Sequence, residues 1–404
     1  MRTVDLRHRL TIAFAAAIAL LPSAVRAQER TLDEVKREIT RRAATRTPPF
    51  DHVRADEVEE VVRSLTSLDK DEWGSKWCQV GLAHEARGDA LAKSNAPPGQ
   101  IRDAYDLAFG YCLIGRYPVP SSPEKRAAYG HARRTFRKAA RYFETPLHVV
   151  EIPFEGKTLV GYLQMPNGVT RPPVVMYWGG VDVWKEDHQR NSAIMHRAGL
   201  ATFLIDGPGT GENPVAFTDP NAERVFSAVM THLAIRTDVD GSRVGAWGRS
   251  FGAYWTAKLA HIEPVRLKAA VFHGGNVHYG FQEEWLRPAL TRNAANYLLG
   301  PASLFDSRSF VLGVRTLEDV FRVAPQLSLK DSGLLDKPSA PILIVNGKLD
   351  DQAPIADSYL LTEHGAPKEV RIVPDGGHMG VKAGVNPDVL ATVIVEWLKR
   401  RLSQ

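Results

Sequence analysis

The stretch that decides the fold is Arg243–Ile262, RVGAWGRSFGAYWTAKLAHI. Its first residues are apolar, as in a strand that is covered on both faces, and its last residues suit a helix. Between them lies a G-x-S-x-G pattern, Gly248–Gly252. In a strand–turn–helix context this pattern predicts a tight nucleophile elbow that lifts the hydroxyl of Ser250 above the sheet. The amide of Phe251 then points to the same place and can bind an oxyanion.

Working outward, short β-rich runs alternate with segments of helical length after Pro146. Alternation of this kind predicts an α/β fold, with a mostly parallel sheet and helices on both of its faces. The predicted strands are His148–Phe154, Leu159–Met165, Pro173–Trp178, Ala201–Ile205, Arg243–Trp247, Ala269–His273, Pro341–Val345 and Glu369–Val373. A last helix should open at Asn386-Pro387 and bury Leu390, Val393, Ile394 and Trp397.

Two further parts flank or interrupt this α/β region. Residues 28–145 are predicted to be a helical domain, which leaves 146–404 as the catalytic domain. The apolar residues Val58, Val61, Val62, Leu65 and Leu68 follow the spacing of a one-faced helix, and Ser122-Pro123 begins another. Residues 274–340 separate two consecutive strands by more than one crossover helix needs, so they are predicted to form an aromatic, lid-like insertion.

The first 27 residues predict a secretory signal peptide. Arg2, Arg7 and Arg9 precede an apolar run that ends at Leu21, and Val25–Ala27 offers small residues for cleavage. The run is too short to span a membrane. We therefore expect a periplasmic or secreted protein with no membrane association after cleavage.

Composition excludes several classes of protein. With 404 residues, 44% hydrophobic and 24% charged, the chain is an ordinary globular one. Part of the net charge of +5 lies in the signal segment. The nearly neutral remainder gives no reason to expect nucleic acid as a partner, and a small-molecule substrate is expected instead.

Two cysteines, Cys78 and Cys112, allow two interpretations. An oxidising compartment permits a disulfide between them. The sequence does not show that their Cα atoms come close enough, so two buried free thiols fit equally well.

A serine hydroxyl needs a base to take its proton. His378 follows the final strand in a Gly-rich loop and comes last in the order serine, acid, histidine expected of this fold. The acid should follow the preceding strand, where Asp350 and Asp351 are neighbours. We choose Asp350, with Asp351 as the alternative, because the loop turns back toward the sheet there.

A second oxyanion donor should come from the turn after Pro173–Trp178. Its paired glycines let the backbone approach a substrate oxygen, and the amide of Gly180 or Val181 is the expected donor. Asp182 follows directly. It either points away as a surface residue or binds a donor group of the substrate.

No cofactor or metal is expected. Asp206–Glu212, DGPGTGE, lacks the spacing of a dinucleotide-binding loop and is predicted to be a structural turn beside the elbow. The chain has no P-loop, no H-E-x-x-H and no zinc-type cysteine pair.

These motifs resemble one branch of the α/β-hydrolases, that of the fermentation-respiration-switch-type esterase-like proteins and the dihydroxypseudooxynicotine hydrolase. The resemblance covers residues 60–402, and its most specific parts are Gly179–Asp182 with Lys185-Glu186, and Asp206–Glu212. It implies a helical cap over an α/β-hydrolase core, often as a homodimer, and a triad of Ser250, Asp350 and His378. In its carbon–carbon-cleaving members an acidic residue after the glycines helps to handle substrate, which favours a substrate-binding role for Asp182.

The sequence therefore predicts a secreted serine hydrolase that acts through an acyl-enzyme on a small or medium carbonyl substrate, either an ester or an aryl ketone. One alternative is a prolyl-oligopeptidase-like peptidase or an amide or carbamate hydrolase. A further one is a non-catalytic binding protein on the same fold.

Overall fold

The computed structural model describes residues 29–294, 297–365 and 368–404, without the side chains of 291–294. The predicted signal peptide lies outside the described residues. Five helices follow one another in the N-terminal part: α1 Leu32–Ala44, α2 Ala55–Ser64, α3 Lys70–Lys93, α4 Pro98–Arg116 and α5 Pro123–Ala140.

The bounds of the first of these helices were not predicted, although it lies within the region expected to be helical. In α1 only Val35, Ile39 and Ala43 are buried, which is a narrow apolar stripe. The available signal was a capping box, in which Thr31 and Glu34 each bond the other's backbone amide. The predicted helix through Leu68 was wrong at its end, because α2 stops at Ser64 and the chain becomes extended at Leu65.

The sheet has eight strands, as predicted: β1 Leu147–Phe154, β2 Lys157–Gln164, β3 Pro173–Trp178, β4 Ala201–Ile205, β5 Asp240–Arg249, β6 Leu267–His273, β7 Ile342–Gly347 and β8 Lys368–Val373. Their order is β1-β2-β4-β3-β5-β6-β7-β8. The β1–β2 and β2–β4 pairs are antiparallel, and the remaining pairs are parallel. Strand β5, which leads into the elbow, lies in the centre between β3 and β6, so the turn at its end is surrounded by protein.

Helices cover both faces of the sheet: α6 Gln189–Arg197, α7 Arg224–Ala234, α8 Ala253–Ile262, α9 Glu283–Ala294, α10 Pro301–Leu312, α11 Leu317–Val323, α12 Ile355–Thr362 and α13 Asp388–Leu402. One apolar core contains α7, α8 and the insertion, and a second contains α6 and α13 with parts of α4 and α5. None of the helices among the described residues is long and apolar enough to cross a membrane.

The predicted buried face of the last helix was partly wrong. Val393 is 43% exposed and Leu390 only partly buried, whereas Ile394 and Trp397 are buried as expected. Helix α13 is apolar on more than one face, so periodicity could not fix which face contacts the sheet.

The 274–340 insertion contains the helices α9, α10 and α11. It packs against the N-terminal helices. Leu298 is fully buried in the apolar cluster of α1–α4, and Asp306 pairs with Lys70 and accepts a hydrogen bond from Ser121. The insertion and the N-terminal helices thus meet over one end of the sheet.

The two cysteines form a disulfide that joins α3 to α4. Cys78 and Cys112 have their Cα atoms 4.1 Å apart, and both are buried. Helices α3 and α4 pack so closely that a side chain at Gly81 would collide with the sulfur of Cys112. The interpretation as two free thiols is therefore wrong.

We expect replacement of both cysteines by alanine to lower the free energy of unfolding by about 2–4 kcal/mol, because the unfolded chain loses a cross-link. Denaturant unfolding with and without a reducing agent measures this. Reduction should destabilise the wild type and leave the double variant unchanged. Two alkylatable thiols in the unreduced protein, unfolded without reductant, would contradict the disulfide.

Candidate active site

Ser250 lies on the turn between β5 and α8 in the conformation that the G-x-S-x-G pattern predicted. Its φ is +54°, a left-handed value that is unfavourable for a residue with a side chain. Backbone strain of this kind persists only when the surroundings enforce it. Here the surroundings are close-packed on both sides of the serine.

The flanking glycines are required by this packing. A Cβ atom at Gly252 would lie 1.9 Å from the carbonyl oxygen of Gly179, and one at Gly248 would lie 2.3 Å from the hydroxyl of Thr256. The indole of Trp178 also donates a hydrogen bond to the carbonyl of Gly252, at 2.8 Å. The elbow and the turn after β3 are therefore in direct backbone contact.

The three predicted triad residues form one hydrogen-bonded chain. Ser250 Oγ lies 2.8 Å from His378 Nε2, and His378 Nδ1 lies 2.9 Å from Asp350 Oδ2. The other carboxylate oxygen of Asp350 accepts the amides of Gln352 and Ala353, at 2.8 and 3.0 Å. Asp350, and not its neighbour Asp351, contacts the histidine.

The environment of Asp350 favours its charged form. Burial acts to raise the pKa of this carboxyl group, but the hydrogen bond and charge of His378, with the two backbone amides, outweigh burial and lower the pKa. An ionised Asp350 can accept a hydrogen bond from Nδ1–H and leave Nε2 free to accept the proton of Ser250.

The turn after β3 faces the elbow, as predicted for an oxyanion site. A Cβ atom at Gly180 would lie 3.0 Å from Ser250 Cβ and 3.2 Å from both Ser250 Oγ and the amide nitrogen of Phe251. Gly180 therefore borders the space between the hydroxyl and the Phe251 amide. Val181 is buried next to it.

A buried ion cluster of Lys185, Asp206 and Glu212 holds this turn in place. The ammonium group of Lys185 lies 2.6 Å from Asp206 and 2.8 Å from Glu212, and its backbone amide donates to Asp206. Burial acts to lower the pKa of Lys185, but attraction by Asp206 and Glu186 outweighs it, so the pKa lies well above its usual value. The DGPGTGE segment is thus a structural turn, as predicted.

Asp182 lies at the meeting point of three parts of the chain. It is half-buried on the turn, and, in addition to burial, its negative charge raises the pKa values of two buried tyrosines. These are Tyr117, at the end of α4, and Tyr297, in the insertion. Burial is the main reason that the pKa values of both tyrosines are raised, and Asp182 adds to the rise. The carboxylate therefore borders the junction of the cap helices, the insertion and the turn.

Sequence reasoning missed His273, the last residue of β6. Its Nε2 donates to the carbonyl of Met379, at 2.9 Å, and its Nδ1 accepts from the indole of Trp247, at 3.3 Å. Burial, reinforced by Arg249, lowers the pKa of His273 to about 3, so the ring is neutral at physiological pH. The hydrogen bond from His273 anchors Met379, the residue after His378, and Met379 has a left-handed φ of +58°.

A pocket adjoins the elbow on the side of the insertion. Phe251 forms part of its wall, and Gln352 contributes from the loop after Asp350. The remaining lining residues all come from the 274–340 insertion: Asn276, Gly280, Phe281, Trp285, Leu286, Ala289, Leu290, Leu304, Arg308, Leu312, Val320, Ala324 and Leu327. Within the described ranges, no cluster of three or more His, Cys, Asp or Glu side chains could hold a metal ion.

Comparison with known proteins places the chain in a family. The family model described as Esterase FrsA-like matches residues 36–403. The chain belongs to the FrsA-like esterase family.

Relatives of this FrsA-like protein agree with that placement. Esterase FrsA of Photobacterium profundum is 24% identical over 85% of this chain and 80% of its own. The 2,6-dihydropseudooxynicotine hydrolase of Paenarthrobacter nicotinovorans is 26% identical over 81% of this chain and 83% of its own. The FrsA-like chain is thus a hydrolase.

Solved structures show the same fold. The 2,6-dihydroxy-pseudo-oxynicotine hydrolase superposes with a TM-score of 0.70 at 22% identity, over 87% of this chain and 94% of the other. AbyA5 superposes with a TM-score of 0.66 at 21% identity, over 84% and 93%. The predicted α/β-hydrolase fold with a helical N-terminal region is confirmed.

We expect Gly180→Ala to lower kcat/KM by about 100-fold, because a methyl group would enter the space beside the Phe251 amide. Hydrolysis of an aryl acetate measures this. Gly130→Ala is the matched control, since a Cβ atom there meets open space, and it should keep full activity. Equal activities of the two variants would contradict an oxyanion site at this turn.

His273→Ala should lower kcat by about tenfold or more with little change in KM, since the loop of His378 loses its anchor. His273→Gln should recover part of the activity, because an amide N–H can still donate to the Met379 carbonyl. His261→Ala removes another buried histidine that bonds a carbonyl, that of Lys337, and should keep kcat. Equal kcat losses in His261→Ala and His273→Ala would contradict a specific positioning role.

Proposed function

We propose that this protein is a serine hydrolase that cleaves esters of small or medium carboxylic acids through an acyl-enzyme. The observation that carries the proposal is the continuous Ser250–His378–Asp350 hydrogen-bonded chain at a strained elbow, directly opposite the glycine turn. The family's description as esterases supports the choice of bond.

In the first step Ser250 Oγ attacks the ester carbonyl carbon while His378 Nε2 takes the hydroxyl proton. The carbonyl π electrons move to oxygen, and the resulting tetrahedral oxyanion is stabilised by the amide of Phe251 and by that of Gly180 or Val181. Asp350 stabilises the imidazolium and does not itself take the proton.

In the second step the oxyanion re-forms the carbonyl, the C–O bond to the leaving group breaks, and His378 gives its proton to the departing alkoxide. Water then attacks the acyl-enzyme with His378 again as base, which releases the acid and restores Ser250. No cofactor enters any of these steps.

Cleavage of an aryl ketone is the second candidate reaction. A relative of 26% identity is named for hydrolysis of 2,6-dihydropseudooxynicotine, and Asp182 borders the oxyanion turn. In this reaction the same acyl-enzyme forms, but a C–C bond breaks instead of the C–O bond, and the leaving carbanion takes the proton that His378 accepted from Ser250. We propose that Asp182 binds a donor group of the substrate in either case.

Two rival functions find less support. A prolyl-oligopeptidase-like enzyme usually carries a β-propeller, whereas residues 29–145 are helical where they form regular structure. A non-catalytic binding protein is disfavoured because all three triad side chains are in hydrogen-bonding contact.

We also propose that the protein acts in the periplasm or outside the cell, with a small-molecule substrate. The buried disulfide supports an oxidising compartment, in agreement with the signal peptide predicted from residues 1–27. A homodimer remains a prediction from the family resemblance.

Ser250→Ala and His378→Ala should each lower kcat by at least about 10³-fold, and Asp350→Asn by a similar factor, because each change removes a member of the proton-transfer chain. Steady-state hydrolysis of aryl acetates and of matched aryl ketones measures the effect and shows which bond is cleaved. Asp351→Asn, the matched control, should retain wild-type kcat. Full activity in Ser250→Ala would overturn the proposal.

A further inference from the structure

Arg308, on α10, brings a positive charge into the wall of the apolar pocket beside the elbow. Its guanidinium carbon lies 5.3 Å from the centre of the Phe251 ring, and the residue is half-buried. The ring belongs to the residue that follows the nucleophile, so this cation lies close to the reacting centre. Stacking of a guanidinium on an aromatic ring offsets only part of the cost of removing it from water.

Arg308 has no carboxylate partner among the described residues. Asp306, two positions earlier on α10, is engaged by Lys70 and Ser121. Arg308 and Asp182 both lie near Tyr297, where the charge of Arg308 lowers the pKa of the tyrosine and that of Asp182 raises it. The charged atoms of Arg308 and Asp182 are nevertheless not within ion-pair distance of each other. The pocket-facing arginine therefore keeps hydrogen-bond donors that the described part of the protein does not use.

A second polar group in the pocket also lacks a partner. Asn276 is only 6% exposed, and its side-chain oxygen accepts no hydrogen bond from the described residues. It follows Gly275, where a Cβ atom would lie 3.0 Å from the carbonyl oxygen of Ser250, so it lies near the elbow. A buried amide oxygen normally has a donor, and none of the described residues supplies one here.

We propose that this pocket binds a part of the substrate that has an apolar or aromatic body and carries a carboxylate. The carboxylate accepts hydrogen bonds from Arg308, in the paired geometry that guanidinium and carboxylate groups favour. A hydroxyl or amide N–H of the same substrate donates to Asn276. The inference rests on the proposed ester hydrolysis and adds the charge class of the substrate.

The test compares two pairs of esters, each with one negatively charged and one neutral member that are otherwise the same. In one pair the acyl group is 4-carboxybenzoyl or 4-methylbenzoyl, with the same methylumbelliferyl leaving group. In the other, the leaving group is 3-carboxyphenol or 3-methylphenol, with the same acetyl group. The ratio of kcat/KM for the charged ester to that for the neutral ester is measured in the full-length mature protein, so intrinsic reactivity cancels between variants.

We expect Arg308→Met to lower this ratio by about tenfold or more in at least one pair, because a charge-assisted hydrogen bond is lost. Arg308→Lys should keep part of the preference, since it retains the charge but not the paired geometry. Arg315→Met, which removes an exposed arginine from the same insertion, should leave the ratio unchanged.

The inference would be overturned if the charged-to-neutral ratio of kcat/KM were the same in the wild type and Arg308→Met for both pairs. A variant that loses activity equally toward charged and neutral esters gives this same result. Failure of the proposed function gives a different result. In that case Ser250→Ala hydrolyses the neutral esters as fast as the wild type, whatever the effect of Arg308.

Discussion

The buried ion pair between Lys185 and Asp206 connects the parts of this protein that must meet at the elbow. Lys185 follows the turn after β3, and Asp206 follows β4, so their contact fixes this turn relative to the sheet. Glu212, on the same segment as Asp206, also binds the lysine and reaches Arg133 and Arg137 on α5. Lys185, through Glu212, thus links the turn, the sheet and the N-terminal helices.

Such a cluster is costly to bury and is sensitive to the loss of any one member, because an unpaired buried charge is strongly unfavourable. In this protein the ion cluster fixes the position of the turn after β3. The turn must hold Gly179 against Gly252 and Gly180 against Ser250, where a single methyl group would not fit. Apolar packing alone is less directional than charged hydrogen bonds. Contacts of Trp184 restrain the turn further, because its indole donates a hydrogen bond to the carbonyl of Val181 and the guanidinium of Arg116 stacks over its ring.

Sequence reasoning predicted the features that follow directly from chain order. The strands, the elbow, and the placement of His378 and Asp350 after the last strands all follow from rules about where α/β proteins position side chains. The structure brings Ser250, His378 and Asp350 into hydrogen-bonding contact as those rules indicate.

Features that depend on long-range packing could not be obtained in this way. Pairing of Cys78 with Cys112 requires α3 and α4 to lie side by side, which no local pattern shows. His273 looks like an ordinary strand residue until Met379 is placed beside it. Arg308 and Asn276 are polar residues in an insertion without a periodic pattern. Only the folded pocket shows that, among the described residues, Arg308 has no carboxylate partner and the side-chain oxygen of Asn276 has no donor. Val393 was misplaced because α13 is apolar on more than one face.

The charge distribution around the site follows from the same architecture. The α/β core supplies the elbow and the turn, whereas the insertion supplies Arg308 and most of the apolar pocket. Under the proposed function, chemistry and substrate choice are thus encoded in different segments of the chain. A change in the insertion is then expected to alter which acid or alcohol is accepted while the serine, histidine and aspartate remain in place.

The central claim is that Ser250 is the nucleophile. It is tested most directly by treating the mature protein with a fluorophosphonate, measuring its intact mass and mapping the modified peptide. We predict a single adduct on the peptide that contains Ser250, and no adduct in Ser250→Ala. An unmodified wild type, or an adduct that persists in Ser250→Ala, would contradict the claim.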